Sequence, residues 1–112
     1  MKKNIEIKIK PLSVNKVWRG QRFKTQEYKD YERDLFYLLP KLDIPKGKIS
    51  LAIIWGMSNK ASDIDNPAKP FIDVLQNKYG FNDKSIYELI MKKVDVKKGW
   101  EFIQFSIEKY TI

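Results

Sequence analysis

The first pattern along the chain is an alternation of apolar and charged positions. Ile5, Ile7 and Ile9 are separated by single charged residues. Strict alternation of this kind is typical of a strand with one buried face, so we predict a strand over 3–10. Pro11 ends that strand, and a loop follows it.

Two later stretches have the apolar spacing of helices. The first begins at Thr25, a candidate N-cap, and ends before Pro40, and its apolar positions are Tyr28, Tyr31, Leu35 and Leu38. The second begins at Asn66 and Pro67, with Asn66 as the N-cap, and ends at a C-terminal cap on Gly80. The apolar positions of the second helix are Ala68, Phe71, Ile72, Leu75 and Tyr79.

The remaining apolar segments predict strands. Residues 51–55 form a continuous apolar run within 48–57, which is typical of a central strand covered on both faces. Residues 86–94 fit either a helix or a strand. Because a turn at 97–99 and an alternating segment follow them, we predict a hairpin of 86–94 with 101–110.

The resulting element order is β-α-β-α-β-β. This order predicts an α+β fold in which helices pack on a mixed β-sheet. The chain has 112 residues and shows no internal repeat or linker, so we expect one domain over 1–112. No apolar run reaches the length of about 18 residues that a membrane-spanning helix needs, and no apolar signal core follows Met1. We expect a cytoplasmic protein with no membrane partner.

Two residue types are missing, and their absence limits the chemistry. The sequence has no cysteine and no histidine. Disulfides, thiol nucleophiles, and zinc sites built on thiolate or imidazole are therefore excluded. Any catalysis would depend on Asp, Glu, Lys, Tyr, Ser or Thr. The metal most compatible with these residues is a hard cation bound by carboxylate oxygens.

The net charge of +8 suggests a polyanionic partner. Residues 1–30 carry nine Lys and Arg against three acidic residues, a net charge of +6. Attraction to phosphates makes nucleic acid the first partner to consider. The alternative is a cationic surface that serves only solubility.

Asp63 and Asp65 stand two positions apart, just before the second predicted helix. On an extended backbone such a pair points to the same side, and two neighbouring carboxylates favour a cation between them. The helix N-terminus next to them suits a phosphate, which Lys69 on the first turn could also reach. The alternative is an acidic surface loop that caps the helix.

Two further aspartates belong to the same region. Asp83 lies in a polar turn after the helix, where the chain could fold back and supply a third carboxylate. An ordinary turn cap is the alternative for this residue. Asp73 stands four residues after Lys69, and we predict that the two form an ion pair that orients the lysine.

The arrangement of these residues resembles the RusA family of Holliday junction resolvases, which are common in phages and prophages. Residues 63–75 follow the pattern D-x-D-N-x-x-K-x-x-x-D-x-L, and residues 79–86 continue it with Asp83. The loop over 11–16 resembles the family's Pro-x-Ser-x-Asn element. Lys93 and the strands around Gly99 are similar to its C-terminal pattern, so the resemblance covers nearly the whole chain.

The resemblance implies a homodimeric endonuclease that nicks four-way DNA junctions in a bacterial cell. It implies that Asp63, Asp65 and Asp83 bind Mg²⁺, with Mn²⁺ as an alternative, and that Lys69 completes the catalytic set. Some members have an acidic residue where this chain has Asn82. No glycine-rich phosphate loop is present, so we expect no nucleotide cofactor.

We expect basic and polar side chains to hold the DNA arms. The candidates are Asn15, Lys16, Arg19, Arg22, Lys24, Lys69, Lys92 and Lys93. Residues 16–24 form a polar segment that we expect to be mobile, and a solvated basic loop is the alternative. Trp18 and Phe23 in this segment could stack on bases, or they could pack in the core or in a dimer interface.

Two other functions remain open at this point. The first is a catalytically silent protein of the same fold that binds branched DNA. The second is a small metal-binding or phosphotransfer protein without a nucleic-acid partner. The presence of Asp63, Asp65, Lys69 and Asp83 argues against the first, and the basic N-terminal segment argues against the second.

Overall fold

A computed structural model of the protein describes residues 4–20 and 23–112. Within these two ranges the chain forms an α+β fold with two helices and six strands. The helices are α1 (Gln26–Leu38) and α2 (Ala68–Tyr79). The strands are β1 (Ile5–Ile7), β2 (Trp18–Arg19), β3 (Phe23–Lys24), β4 (Ile49–Met57), β5 (Ile86–Asp95) and β6 (Phe102–Lys109). Neither helix is long and apolar enough to cross a membrane.

Four strands form one mixed sheet in the order β1-β6-β4-β5. β4 runs parallel to β5 and antiparallel to β6, and β6 also pairs with β1. The predicted mixed sheet is confirmed. β2 and β3 pair separately as a short ribbon that the sequence pattern did not predict.

The predicted hairpin of 86–94 with 101–110 is wrong. The two segments are strands, but β4 lies between them and pairs with both. β4 is the most apolar segment, so the central position of the sheet buries it best. The connection between β5 and β6 crosses the end of β4. There the Val96 N–H donates to the Met57 carbonyl at 3.0 Å, an ordinary distance for such a bond.

The expectation that β4 is covered on both faces is also wrong. Its odd-numbered residues, from Ile49 to Met57, are buried under the helices, whereas Ser50, Ala52 and Ile54 on the other face are only partly buried. The continuous apolar run therefore belongs to a strand with one helix-covered face and one more open face.

Three aromatic side chains join the helix layer to the sheet. Phe71 of α2 meets Trp55 of β4 with ring centroids 5.5 Å apart and an interplanar angle of 83°. The same ring meets Phe105 of β6 at 5.4 Å and 72°. Edge-to-face contacts of this kind add about 0.5–1.5 kcal/mol each beyond the burial of the rings. They fix α2 against the two central strands.

The predicted ends of the helices are largely confirmed. Thr25 Oγ1 accepts a hydrogen bond from the Tyr28 N–H at 3.0 Å, which is the N-cap of α1. Gly80 has φ of 72°, a left-handed conformation that favours glycine, and it caps α2. The N-cap of α2 is Pro67 and not Asn66. The backbone turn over 64–67 delays the helix by one residue.

Gly56 provides a test of how tightly the more open face of the sheet is packed. This buried glycine of β4 lies opposite Phe102 of β6, and a Cβ at position 56 would overlap the Phe102 ring. We expect Gly56→Ala to lower the free energy of unfolding by about 1–3 kcal/mol, measured by urea denaturation. The same change combined with Phe102→Ala should cost much less than it does alone. An equal cost in both backgrounds would show that the ring is not the cause.

Candidate active site

Asp63 and Asp65 lie exposed on the loop over 58–67 that joins β4 to α2. Their backbone carbonyls accept hydrogen bonds from the N–H groups of Asn66 at 3.2 Å and Ala68 at 3.1 Å. The sequence pattern predicts an extended backbone, on which the two side chains would point to the same side. The backbone here instead forms a turn. The turn fixes the main chain and leaves both carboxylates open to solvent.

The N-terminal loop over 11–16 packs beside this acidic loop. The Val14 N–H donates to the Asn66 carbonyl at 2.8 Å, and Ser13 Oγ accepts from the Asn15 N–H at 3.2 Å. A cleft of about 550 Å³ lies between the two loops, with Asn15 and Lys16 on one side and Ser62 and Asn66 on the other. The Pro-x-Ser-x-Asn segment is thus part of the same region as the two aspartates.

Helix α1 forms the back wall of this cleft. Its contribution is acidic and includes Glu27, Asp30 and Asp34. Tyr31 also lines the cleft, and its hydroxyl is buried without a hydrogen-bond partner among the described residues. Burial raises the pKa of this hydroxyl, so it stays protonated. This acidic wall would repel a phosphate group.

The predicted ion pair between Lys69 and Asp73 is confirmed. Lys69 Nζ lies 2.9 Å from Asp73 Oδ1 on the exposed side of α2. The hydrogen bond to Asp73 and the charge of that carboxylate raise the pKa of the Lys69 ammonium, and Asp83 adds to the shift. The ammonium therefore stays cationic through the neutral range and well above it.

Gln76 links this pair to the turn that carries Asp83, and sequence reasoning missed it. Its Nε2 donates to Asp73 Oδ1 at 3.4 Å, and its Oε1 accepts from the Asp83 N–H at 2.9 Å. A chain of polar contacts thus runs along α2 from Lys69 to Asp83. The only signal in the sequence is spacing, since Gln76 stands three residues after Asp73 on the same helix face.

Asn82 takes the capping role that was the alternative for Asp83. Its side chain accepts from the Lys84 N–H at 2.9 Å and caps the short 3₁₀ turn over Asp83–Ser85. Asp83 is the first residue of that turn and is exposed. Its carboxylate therefore does not cap the turn.

The residues fit a hard cation by donor type but do not form a preassembled site. Carboxylate oxygens are the ligands that Mg²⁺ prefers. In residues 4–20 and 23–112, no group of three or more acidic side chains lies close enough together to hold a metal ion. Asp83 and Lys69 line one shallow surface cleft, while Asp63 and Asp65 lie on the loop before the helix. The ligand set Asp63, Asp65 and Asp83 stays a prediction.

The sequence of this site matches a known family. The family model described as Endodeoxyribonuclease RusA covers residues 6–101 of the 112. The chain belongs to the RusA family. The match runs from β1 to the end of the connection between β5 and β6, so it includes both loops of the site and the Asp83 turn. No curated protein matches the chain at a significant level.

The basic residues of 16–24 that were predicted to contact DNA lie on the surface where the structure describes them. Lys16 on the 3₁₀ turn over Val14–Lys16, Arg19 on β2 and Lys24 on β3 are all exposed. Arg22, which was predicted with them, lies outside the described residues. Lys24 Nζ pairs with Glu32 at 3.3 Å, whereas Lys16 Nζ lies 3.9 Å from Glu27. Exposed pairs of this kind are weak, so both lysines remain able to contact phosphates.

The ribbon of β2 and β3 also displays two aromatic rings. Trp18 is 53% exposed and Phe23 is 72% exposed. The alternative that these rings pack in the protein core is therefore wrong. The Thr25 N–H donates to the Val17 carbonyl at 2.9 Å, which ties the base of the ribbon together. Residues 17–19 are thus paired with residues 23–25, whereas the sequence pattern predicts a mobile segment.

The two C-terminal lysines have different surroundings. Lys92 is exposed on β5, whereas Lys93 is half-buried. Lys93 Nζ donates to the carbonyls of Lys60 at 3.0 Å and Ser62 at 2.6 Å. Lys93 thus holds the acidic loop from the neighbouring strand, a contact that the sequence does not signal because it depends on loop carbonyls. Its predicted contact with DNA stays a prediction.

Lys93→Met tests this contact because it keeps the aliphatic stem and removes the donors. We expect backbone amides over 58–66 to exchange with solvent about tenfold faster, measured by hydrogen exchange, because the loop loses two charge-assisted bonds. Lys92→Met is the matched control and should leave the loop unchanged. Equal exchange in the wild type and Lys93→Met would mean that the contact does not order the loop.

Proposed function

We propose that the protein is a divalent-metal-dependent endonuclease that resolves four-way DNA junctions as a homodimer. The observation that supports this most strongly is the family match over residues 6–101, which includes the whole D-x-D-N-x-x-K segment. Membership of this family supports an endodeoxyribonuclease activity. The junction substrate, the Mg²⁺ requirement and the dimer go beyond family membership and are proposed here.

In this proposal Asp63, Asp65 and Asp83 hold Mg²⁺. A bound Mg²⁺ supplies Lewis-acid stabilisation of charge on the scissile phosphate and lowers the pKa of water. With no histidine in the chain, no imidazole base can take that part. Without a cation these carboxylates repel one another, so a bound cation would draw them together.

Lys69 has a separate role at the phosphate. The ammonium remains charged because Asp73 raises its pKa, and it is exposed next to the start of α2. A fixed positive charge there neutralises negative charge that builds up on the phosphoryl oxygens in the transition state. Asp73 limits the side-chain conformations of Lys69 and so positions the ammonium.

DNA binding is assigned to the exposed basic residues around the N-terminal loop and the ribbon. Lys16, Arg19 and Lys24 contact phosphates without reading sequence, as expected for an enzyme that recognises junction structure. Trp18 and Phe23 project from the same ribbon and stack on bases that are unpaired at the junction centre.

A homodimer fits the symmetry of the substrate. A four-way junction is approximately two-fold symmetric, and its resolution needs a nick in each of two opposed strands. A dimer with two-fold symmetry supplies two identical sites in that arrangement. The 13.3 kDa chain alone is too small to hold several arms and cut twice.

One observation favours a second candidate, a catalytically silent protein that binds branched DNA. Among the described residues the three proposed ligands do not form a ready metal group. The two functions are separated by incubating the protein with a synthetic four-way junction, a Y-fork and a linear duplex, each with and without Mg²⁺. Nicking of the junction only with metal supports the nuclease. Binding without nicking in Mg²⁺ and in Mn²⁺ supports the silent protein.

Asp63→Asn removes a ligand charge with little change in shape. We expect a fall in cleavage of about 100-fold or more, because the metal contributes several kcal/mol to transition-state stabilisation. Junction affinity measured without Mg²⁺ should stay equal or rise, since a negative charge near phosphate is lost. Asp43→Asn, at an exposed aspartate outside the site, is the control. Full activity of Asp63→Asn would remove this residue from the ligand set.

Lys69→Met tests the role assigned to the ammonium. We expect the single-turnover cleavage rate to fall about 100-fold, as for loss of one stabilising donor, while junction affinity changes less than threefold. Lys84→Met, an exposed lysine beside Asp83, should affect both quantities little. Equal losses of rate and affinity in Lys69→Met would make Lys69 an ordinary phosphate contact.

A further inference from the structure

Strand β5 forms one edge of the sheet and is long and exposed. It spans ten residues, Ile86–Asp95, and pairs with β4 along one side only. In the part of the chain that the structure describes, no strand pairs with its other side. The opposite edge of the sheet is β1, which has only three residues. A long free edge is a template for pairing with another strand unless something covers it.

The side chains along this edge are unusually apolar for a free edge. Tyr87, Leu89, Ile90 and Val94 are 56%, 42%, 50% and 37% exposed. Leu89 pairs with Leu51 and lies on the helix side of the sheet, whereas Ile90 pairs with Ala52 and lies on the more open side. Apolar surface is therefore present on both faces of the strand, next to the unpaired backbone groups.

The sequence of β5 is self-complementary in the register whose centre is Ile90. When a strand pairs antiparallel with its own copy about a two-fold axis, each residue faces one at equal distance from the centre. A centre at Ile90 places Glu88 opposite the partner's Lys92, and the reverse. It also places Leu89 opposite the partner's Met91. A centre at Glu88 or at Lys92 would instead set two like charges against each other.

We propose that β5 is the dimer interface, and that a second copy of this chain pairs its own β5 antiparallel with it about a two-fold axis at Ile90. This inference rests on the homodimer of the proposed function and names the surface that forms it. The pairing satisfies the free backbone groups, covers the exposed apolar side chains and makes two Glu88–Lys92 pairs. It also places the two acidic loops on opposite sides of the axis, as two opposed nicks require.

A charge swap tests the register. Glu88→Lys and Lys92→Glu, made singly, each replace two attractive pairs by two repulsive ones. We expect the dimer dissociation constant from sedimentation equilibrium to rise about tenfold in each. The double variant restores opposite charges and should return close to the wild-type value. Glu88 Oε1 accepts from Ser50 Oγ at 2.6 Å, and the double variant also lacks this bond. Glu88→Lys lacks the same bond, so the comparison of these two variants isolates the charge pairs, and a double variant that dimerises no more tightly than Glu88→Lys would overturn the register.

A cysteine on the axis gives a second test. Because the chain has no cysteine, Ile90→Cys introduces one thiol per subunit, and two such thiols face each other only in this register. We expect oxidation to produce a covalent dimer readily. Tyr37→Cys, at an 86% exposed position on α1, should give only background cross-linking. Equal cross-linking of the two variants, or a wild-type protein that stays at 13 kDa at all micromolar concentrations, would overturn the proposal.

Cleavage assays on the same proteins separate this inference from the proposed function. A dimer that responds to the charge swap but does not cut junctions supports the interface and contradicts the nuclease. Junction cleavage by a protein whose dimer ignores the swap contradicts the interface and leaves the nuclease standing.

Discussion

The contact between Trp55 and Phe71 determines how the candidate site is built. Trp55 lies near the end of β4 and Phe71 on the first turn of α2, and both side chains are fully buried. Their rings meet edge to face at 5.5 Å, so the two ends of the acidic loop are held at a fixed separation. The indole Nε1 is buried with no hydrogen-bond partner in residues 4–20 and 23–112, and an unsatisfied buried donor costs about 1–3 kcal/mol. The burial of both rings has to offset that cost for the loop to keep its place.

The second constraint is electrostatic and acts along α2. Asp63 and Asp65 precede the helix and Asp83 follows it, and a helix of twelve residues is about 18 Å long. The turn that carries Asp83 folds back as far as Gln76, and Asp83 lines the same surface cleft as Lys69. Three carboxylates gathered without a cation would repel one another strongly. Any site that uses all three carboxylates therefore needs a cation to offset their repulsion.

Local signals predicted much of this molecule, and non-local pairing explains what they missed. Thr25 and Gly80 mark helix ends because a cap depends on neighbours a few residues away. The hairpin of 86–94 with 101–110 failed because strand pairing depends on which segment takes the centre of the sheet, and β4 takes it. Lys93 gave no sign of its contact with the acidic loop, since its acceptors are the backbone carbonyls of Lys60 and Ser62.

Strand β5 connects the two halves of the site, which neither its sequence nor its length reveals. The Asp83 turn lies directly before its first residue, and Lys93 near its last residues holds the loop that carries Asp63. The parallel pairing of β4 with β5 therefore fixes where the acidic loop lies relative to Asp83. A movement of β5 against β4 would shift both ends of the site together. Any contact that stabilises the free edge of β5 would then also stabilise the spacing between the acidic loop and Asp83, although that contact lies outside the candidate site.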